Sequence, residues 1–334
     1  MDRGMNIYEV ARKAGVSIAT VSRVINNSTS VRPETREKVE AALKELKYRP
    51  NAIARSLVVN STHTVGVLAS DVRDSYYANA IYILEQEFRR LGYHVILCNT
   101  GGELEKRKGY MGLLLEKKVD GIVLVGSVFK EKTGNRHILD TASVVPVVML
   151  NSFLDGENIY SIKCDDRAAT ADIVKSLAER GHREIVYIYD VDSFSGLAKL
   201  EGFRLGMKTA GLVLKPHSVV KTDSGIIGGE KALERLDARK APYTAIVTSE
   251  DILAAGALKV LARRGRHVPE DVAVFGYNDS LIARCTTPEL STVDNKVGAL
   301  AKAAANILYR VLQGEAILHH HTIVPELIFR QSCP

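Results

Sequence analysis

The chain has 334 residues, 46% apolar and 25% charged, with a formal net charge of +6, which is ordinary for a globular protein and too long for one small domain. Its four cysteines, Cys98, Cys164, Cys285 and Cys333, lie far apart with no CxxC spacing, which argues against a zinc site or a disulfide framework and fits a reducing compartment. The start, MDRGMNIYEV, holds no apolar signal core, and no apolar run is long enough to span a bilayer, so a cytoplasmic location is expected.

Charge is unevenly spread. Residues 1–60 hold 11 basic and 6 acidic side chains, the electrostatic footprint of a polyanion binder, whereas the remainder is close to neutral. Within them, residues 6–26 read as two short helices packed on each other. Asn6 can cap the first, with Glu9 three residues on, and Gly15 ends it where a positive φ is cheap. Ser17 caps the second. Val10, Ala11, Val16, Val21 and Val24 recur at spacings that bury one small apolar face, which leaves Ile18, Ala19, Ser22 and Arg23 opposite. In a helix-turn-helix that second helix meets base edges, and an Arg there can hydrogen-bond both O6 and N7 of a guanine, the role expected for Arg23. Pro33 opens a third helix with Val39, Leu43 and Leu46 on one face. Residues 51–57 form a further short helical candidate, followed by the polar link Asn60, Ser61, Thr62, His63.

From Thr64 onward, apolar strands alternate with amphipathic helices. Strands are expected at 65–69, 95–99, 121–125, 145–150, 185–189, 245–248 and 273–277. Helices are expected at 77–91, 103–117, 168–180, 200–210, 252–264 and 298–313. Such alternation means parallel sheets covered on both faces, and the pattern restarts near Asp165, which predicts two similar α/β subdomains. In open sheets of this kind the ligand crevice lies beyond the carboxyl ends of the strands. The candidate effector-binding residues there are Asp71, Ser75, Tyr76, Asn99, Asn151, Asp165, Lys199, Glu250, Asn278 and Asn295, with Tyr77 beside them. They can hydrogen-bond hydroxyls, and the tyrosines can stack on a sugar face.

The run from Val16 to Asn26 (VSIATVSRVIN), the stretch Thr35–Val39 (TREKV) and Tyr48 to Leu57 closely resemble the lactose-repressor (LacI/GalR) family of bacterial transcription regulators. The resemblance continues through 119–123 (VDGIV), 181–185 (GHREI), 268–277 (VPEDVAVFGY) and 325–333 (PELIFRQSC), so it covers essentially the whole chain. It implies a helix-turn-helix domain at 1–50, a hinge helix and linker at 51–62, and an α/β core of two periplasmic-binding-protein-like subdomains at 63–334. The N-subdomain would take 63–163 and 295–321, and the C-subdomain 164–292 and 323–334, with crossovers near 162–165, 291–295 and 321–325. The DNA-binding set it implies is Asn6, Tyr8, Ser17, Ile18, Ala19, Thr20, Ser22, Arg23 and Asn26, with Asn51, Ala54 and Leu57 in the hinge. There, Leu57 could wedge into a base step from the minor groove.

The crevice departs from the family pattern. Relatives usually carry Asn-Pro-Phe-Phe where this chain has Asp74, Ser75, Tyr76 and Tyr77. They carry Asp for Asn151, Arg for Lys199, Asn for Glu250, Asp for Asn278 and Gln for Asn295. Losing the Arg fork removes bidentate recognition and leaves a point charge. The expected function is therefore a sequence-specific regulator, a repressor, binding double-stranded operator DNA as a homodimer, since the chain stops just after the last strand. Its effector would be a sugar or sugar derivative: an uncommon sugar, a sugar phosphate or acid held by Lys199, or none at all. A partner protein in that role and, less favoured, a solute-binding protein stay open as alternatives. The run His319, His320, His321 is read as a polar connector. No GxxxxGK[ST], GxGxxG or GxSxG arrangement appears, so neither an enzyme nor a cofactor or metal is expected.

Overall fold

A computed structural model describes residues 6–25, 28, 30–46 and 61–334. The chain divides into two compact units, Met1–Thr62 and His63–Pro334. Asn26 and the whole of 47–60, with Asn51, Ala54 and Leu57, lie outside the described residues.

The first unit contains α1 (Ile7–Ala14), α2 (Ile18–Ile25) and α3 (Pro33–Glu45). The side chain of Asn6 accepts from the N–H of Glu9 at 3.1 Å, and Gly15, at φ 67°, returns its N–H to the carbonyls of Ala11 and Arg12. That left-handed residue turns the chain sharply enough for α2 to start three residues later. Ser17 Oγ accepts from the N–H of Thr20. Val10, Ala11, Val21, Val24, Val39 and Ala42 make the buried core, with Val16, Leu43 and Leu46 packed at its edge. A Lys13–Glu45 ion pair ties α1 to α3.

The second unit opens with β1 (Thr64–Ala69), α4 (Ser75–Arg90), β2 (His94–Asn99), α5 (Leu104–Glu116), β3 (Gly121–Val125), α6 (Arg136–Ala142), β4 (Val147–Leu150) and β5 (Ile159–Cys164). It continues with α7 (Asp166–Glu179), β6 (Ile185–Tyr189), α8 (Phe194–Thr209), β7 (Val219–Lys221), α9 (Gly225–Ala238), β8 (Ala245–Thr248), α10 (Asp251–Arg263) and β9 (Ala273–Phe275). Last come α11 (Leu281–Cys285), β10 (Thr292–Asp294), α12 (Val297–Leu312), β11 (His320–Ile323) and β12 (Glu326–Ile328).

Two sheets result. One has the order β11-β5-β4-β3-β1-β2, the other β7-β6-β8-β9, and β10 pairs with β12. Pairing within both sheets is parallel. The central strands are apolar along their whole length because helices cover both faces, so that every side chain of β3, β4, β6 and β8 is buried. On the larger sheet, α4 and α12 enclose one core, with Leu84, Phe88, Leu300 and Leu308 in it, and Met111, Leu114 and Ile138 close the other face. The smaller sheet has its own pair of cores, around Phe203 and Phe275 on one side and Leu233, Leu253 and Leu261 on the other.

The chain passes between the subdomains three times: between β5 and α7, between β10 and α12, and between β11 and β12. The histidine run differs from expectation. His320 and His321 belong to β11, which pairs parallel with β5, rather than to a connector. An edge strand tolerates polar side chains because one of its sides and one of its faces stay wet. Here His319 Nδ1 lies 2.8 Å from the carbonyl of Ile159, and His320 Nε2 lies 3.0 Å from Asp155.

Candidate functional site

Two regions can recognise other molecules. In the helical unit, α2 buries Val21 and Val24 and turns its other side outward. Ile18 is 39% exposed, Ala19 and Arg23 are exposed, and Ser22 and Thr20 are partly so. Asn6 and Ser17 are exposed, and so is Tyr8, at 67%. The hydroxyls of Ser17 and Thr20 lie 2.9 Å apart. Among the described residues the guanidinium of Arg23 has no ion-pair or hydrogen-bond partner. A helix with a small apolar back and a polar front ending in such an arginine can enter a groove of duplex DNA.

In the core, the carboxyl ends of the strands of both sheets converge on a cavity of about 60 Å³. The larger-sheet side supplies Asp74, Tyr76, Tyr77, Ser127 and Asn151; the smaller supplies Asp190, Ser193, Ser195, Lys199, Ser249, Glu250 and Asn278. That volume holds about two waters, so anything of sugar size enters only when the subdomains part. The closed arrangement is fastened from both sides. Ser127 Oγ donates to Ser193 Oγ at 2.9 Å. Phe153 stacks on Phe194 with ring centroids 6.4 Å apart, and the ammonium groups of Lys130 and Lys163 sit over both rings.

Of the residues expected in the crevice, the structure brings together Tyr76, Asn151, Lys199, Glu250 and Asn278. The others stand outside the lining. Asp71 pairs with Arg73 at 2.6 Å, which holds its carboxyl down at about 2. Ser75 is exposed at the start of α4, and Asn99 is exposed, accepting from the N–H of Val72. Asp165 caps α7 by accepting from Ala168 N–H. Asn295 is buried one layer behind, its Nδ2 donating to Asn278 Oδ1 at 2.8 Å.

Sequence reasoning missed Asp190, Ser193 and Ser249, and it missed Asp166. The last is buried, accepting from Ser195 Oγ at 2.6 Å and from the Tyr277 hydroxyl at 2.7 Å. Lys199 is no free cation: its ammonium donates to the Ser249 carbonyl at 2.8 Å and lies 3.8 Å from the centre of the Tyr277 ring.

A profile of the bacterial regulatory proteins of the lacI family matches residues 6–51, and one of the periplasmic binding protein-like domain matches residues 174–333. An HTH-type transcriptional regulator of Lachnoclostridium phytofermentans is 42% identical over 330 residues, covering 98% of this chain and 99% of that protein. The chain belongs to the lacI family. Among solved structures, a lac repressor dimer bound to operator and the anti-inducer ONPF superposes with a TM-score of 0.87 at 25% identity, covering 99% of each chain. A CelR–cellobiose complex gives 0.74 at 29% identity, covering 98% of this chain and 99% of that one. The protein is thus a lacI-type transcriptional regulator with a parallel-sheet core, and among its described residues no helix is long and apolar enough to cross a membrane.

Within this lacI-family core, Glu250 is the most perturbed acid of the cleft. Burial, with Asp190 adding to it, pushes its carboxyl up to about 8. Burial likewise raises Asp251 to about 6, against hydrogen bonds from Thr292 and Ser280. A raised folded-state value stabilises the fold below the ordinary carboxylate range and ceases to do so as pH climbs through the folded value. The effector-free protein is therefore expected to lose thermal stability between about pH 5 and pH 8, and Glu250→Gln to flatten the upper part of that slope. Melting curves across this range check it; equal slopes for the two proteins would remove the assignment.

Proposed function

We propose that this regulator is a repressor: a homodimer whose two helical heads read the half-sites of a pseudo-palindromic operator, and whose inter-subdomain cavity takes a small, sugar-like effector. The observation that carries this reading is the exposed side of α2, with Arg23 unpartnered among the described residues, on a unit carrying nearly all of the chain's net charge. Support for the dimer comes from the lac repressor neighbour, which is a dimer on operator, and from the small surface of a single head. Support for a sugar-like effector comes from the CelR neighbour, which holds cellobiose, and from the hydroxyl, amide and tyrosine groups around the cavity.

The effector would act by favouring one degree of subdomain closure over another, a bias typically worth about 1–3 kcal/mol. Selection of duplexes from a random pool by the full-length protein tests the reading. A two-fold symmetric sequence is expected, with half-sites about 10 bp apart or a multiple of that, bound by two protomers in sedimentation. Recovery of a random pool, or of one asymmetric site bound by a monomer, would overturn it.

A further inference from the structure

The cavity has an uneven charge balance. Three carboxylates line it, Asp74, Asp190 and Glu250, against one ammonium, that of Lys199. Asp74 is spent in part on the start of α4, accepting from Tyr76 N–H at 2.8 Å, and Asp190 accepts from Ser249 Oγ at 3.2 Å. The carboxylate of Glu250, which lines the cavity, has no hydrogen-bond or ion-pair partner among the described residues. Lys199 cannot neutralise all three, being held by the Ser249 carbonyl and the Tyr277 ring. The next cations outward, Lys130 and Lys163, lie over the rings of Phe153 and Phe194 and do not line the cavity.

We propose that the molecule this cleft accepts carries a protonated nitrogen, as an amino sugar does, and that its ammonium sits among Asp74, Asp190 and Glu250. The proposal rests on the cleft being the effector site. An anion would add negative charge beside Asp74 and Asp190 where water is scarce, and a neutral polyol would donate hydroxyl hydrogen bonds yet supply no counter-charge to the three acidic groups. A cation supplies it.

Around Glu250 stand Tyr187 from β6 and Asp190 just after it, Lys199 from α8, Tyr77 from α4 and Asp74 at its cap, and Asp251 at the start of the helix that Glu250 caps. Lys199 alone among them favours ionisation. An arriving ammonium favours it too, so binding near neutral pH releases a proton and tightens as the pH rises towards 8.

The test is a thermal-shift screen of the full-length protein, with EDTA present, against a bacterial small-molecule extract split on a cation-exchange resin. The retained fraction is expected to raise the melting midpoint and the flow-through to leave it unchanged, with Glu250→Gln needing at least about tenfold more of the retained material for the same shift. Protection by the flow-through would overturn the cationic class while leaving the cleft as the effector site. Protection by neither fraction would remove the effector reading and this proposal with it. An undiminished response of Glu250→Gln would remove the carboxylate cluster as the binding element.

Discussion

Arg23→Ala is expected to erase most of the distinction between a selected operator and a scrambled duplex, while the affinity for arbitrary DNA and its dependence on salt stay nearly as they were. The side chain projects from the polar face of α2 with no partner among the described residues to hold it back, so its loss leaves the Val10–Val21–Val24 core intact. One bidentate arginine–guanine contact is worth about 1–3 kcal/mol of discrimination. Two heads on one operator double that, so a fall of roughly thirtyfold to about twenty-thousandfold in specificity is expected. Phosphate contacts, which supply the salt-dependent term, are expected from the other basic residues of the head. Fluorescence anisotropy at two salt concentrations with matched duplexes measures both terms. An operator preference unchanged by the substitution would show that α2 reads DNA through a different residue.

The second large effect is on stability. Asp166 is 3% exposed and accepts hydrogen bonds from Ser195, 5% exposed, and Tyr277, 1% exposed. Asp166→Ala strands both hydroxyls where water cannot reach them, at about 1–3 kcal/mol each, a large share of the roughly 5–15 kcal/mol that holds a domain folded. Asp166→Asn keeps one acceptor and the shape, so it should cost about half as much. Urea unfolding of the three proteins orders them. A midpoint for the alanine variant equal to that of the parent would mean that the two hydroxyls find other partners. Since Ser195 lines the cavity and Tyr277 carries Lys199, milder variants at this position should also loosen the cleft.

How much of this was legible beforehand depended on whether a signal was local. The head was readable residue by residue, since its caps, its positive-φ glycine and its apolar spacing all lie within a few positions of each other. The long strands were readable for a related reason: burial on both faces writes an unbroken apolar run. Helix α9 was not, because it begins Gly-Ile-Ile-Gly-Gly, a poor helix start by propensity. Tertiary packing explains it: a Cβ at Gly229 would stand 2.0 Å from the carbonyl oxygen of Leu253, and one at Gly256 would stand 2.1 Å from that of Ile226. Two helices approach too closely there for any side chain. Strands β7, β10 and β12 have three residues each, too few to show a period.

In the cleft, strand ends picked out loops that reach the cavity, but often a member of each that does not line it. Asp165 was preferred to its neighbour, yet the helix boundary spends Asp165 on a cap and turns Asp166 inward. Asp190 and Ser249 escaped notice because their meaning comes from facing another subdomain, which no run of sequence records. Asn295, expected among the effector-binding residues, holds Asn278 instead of lining the space itself.

The three passages between the subdomains bear on how the molecule is made. The larger sheet begins at residue 64, but one of its faces is closed by α12 and one of its edges by β11, both beyond residue 296. While the ribosome is still emitting the middle of the chain, the first-made half of the core has an oily side open to water, and the helical head has long since emerged. A message cut short anywhere before α12 thus yields a head without a working control unit, and a half-core that chaperones and proteases can recognise by its missing lid.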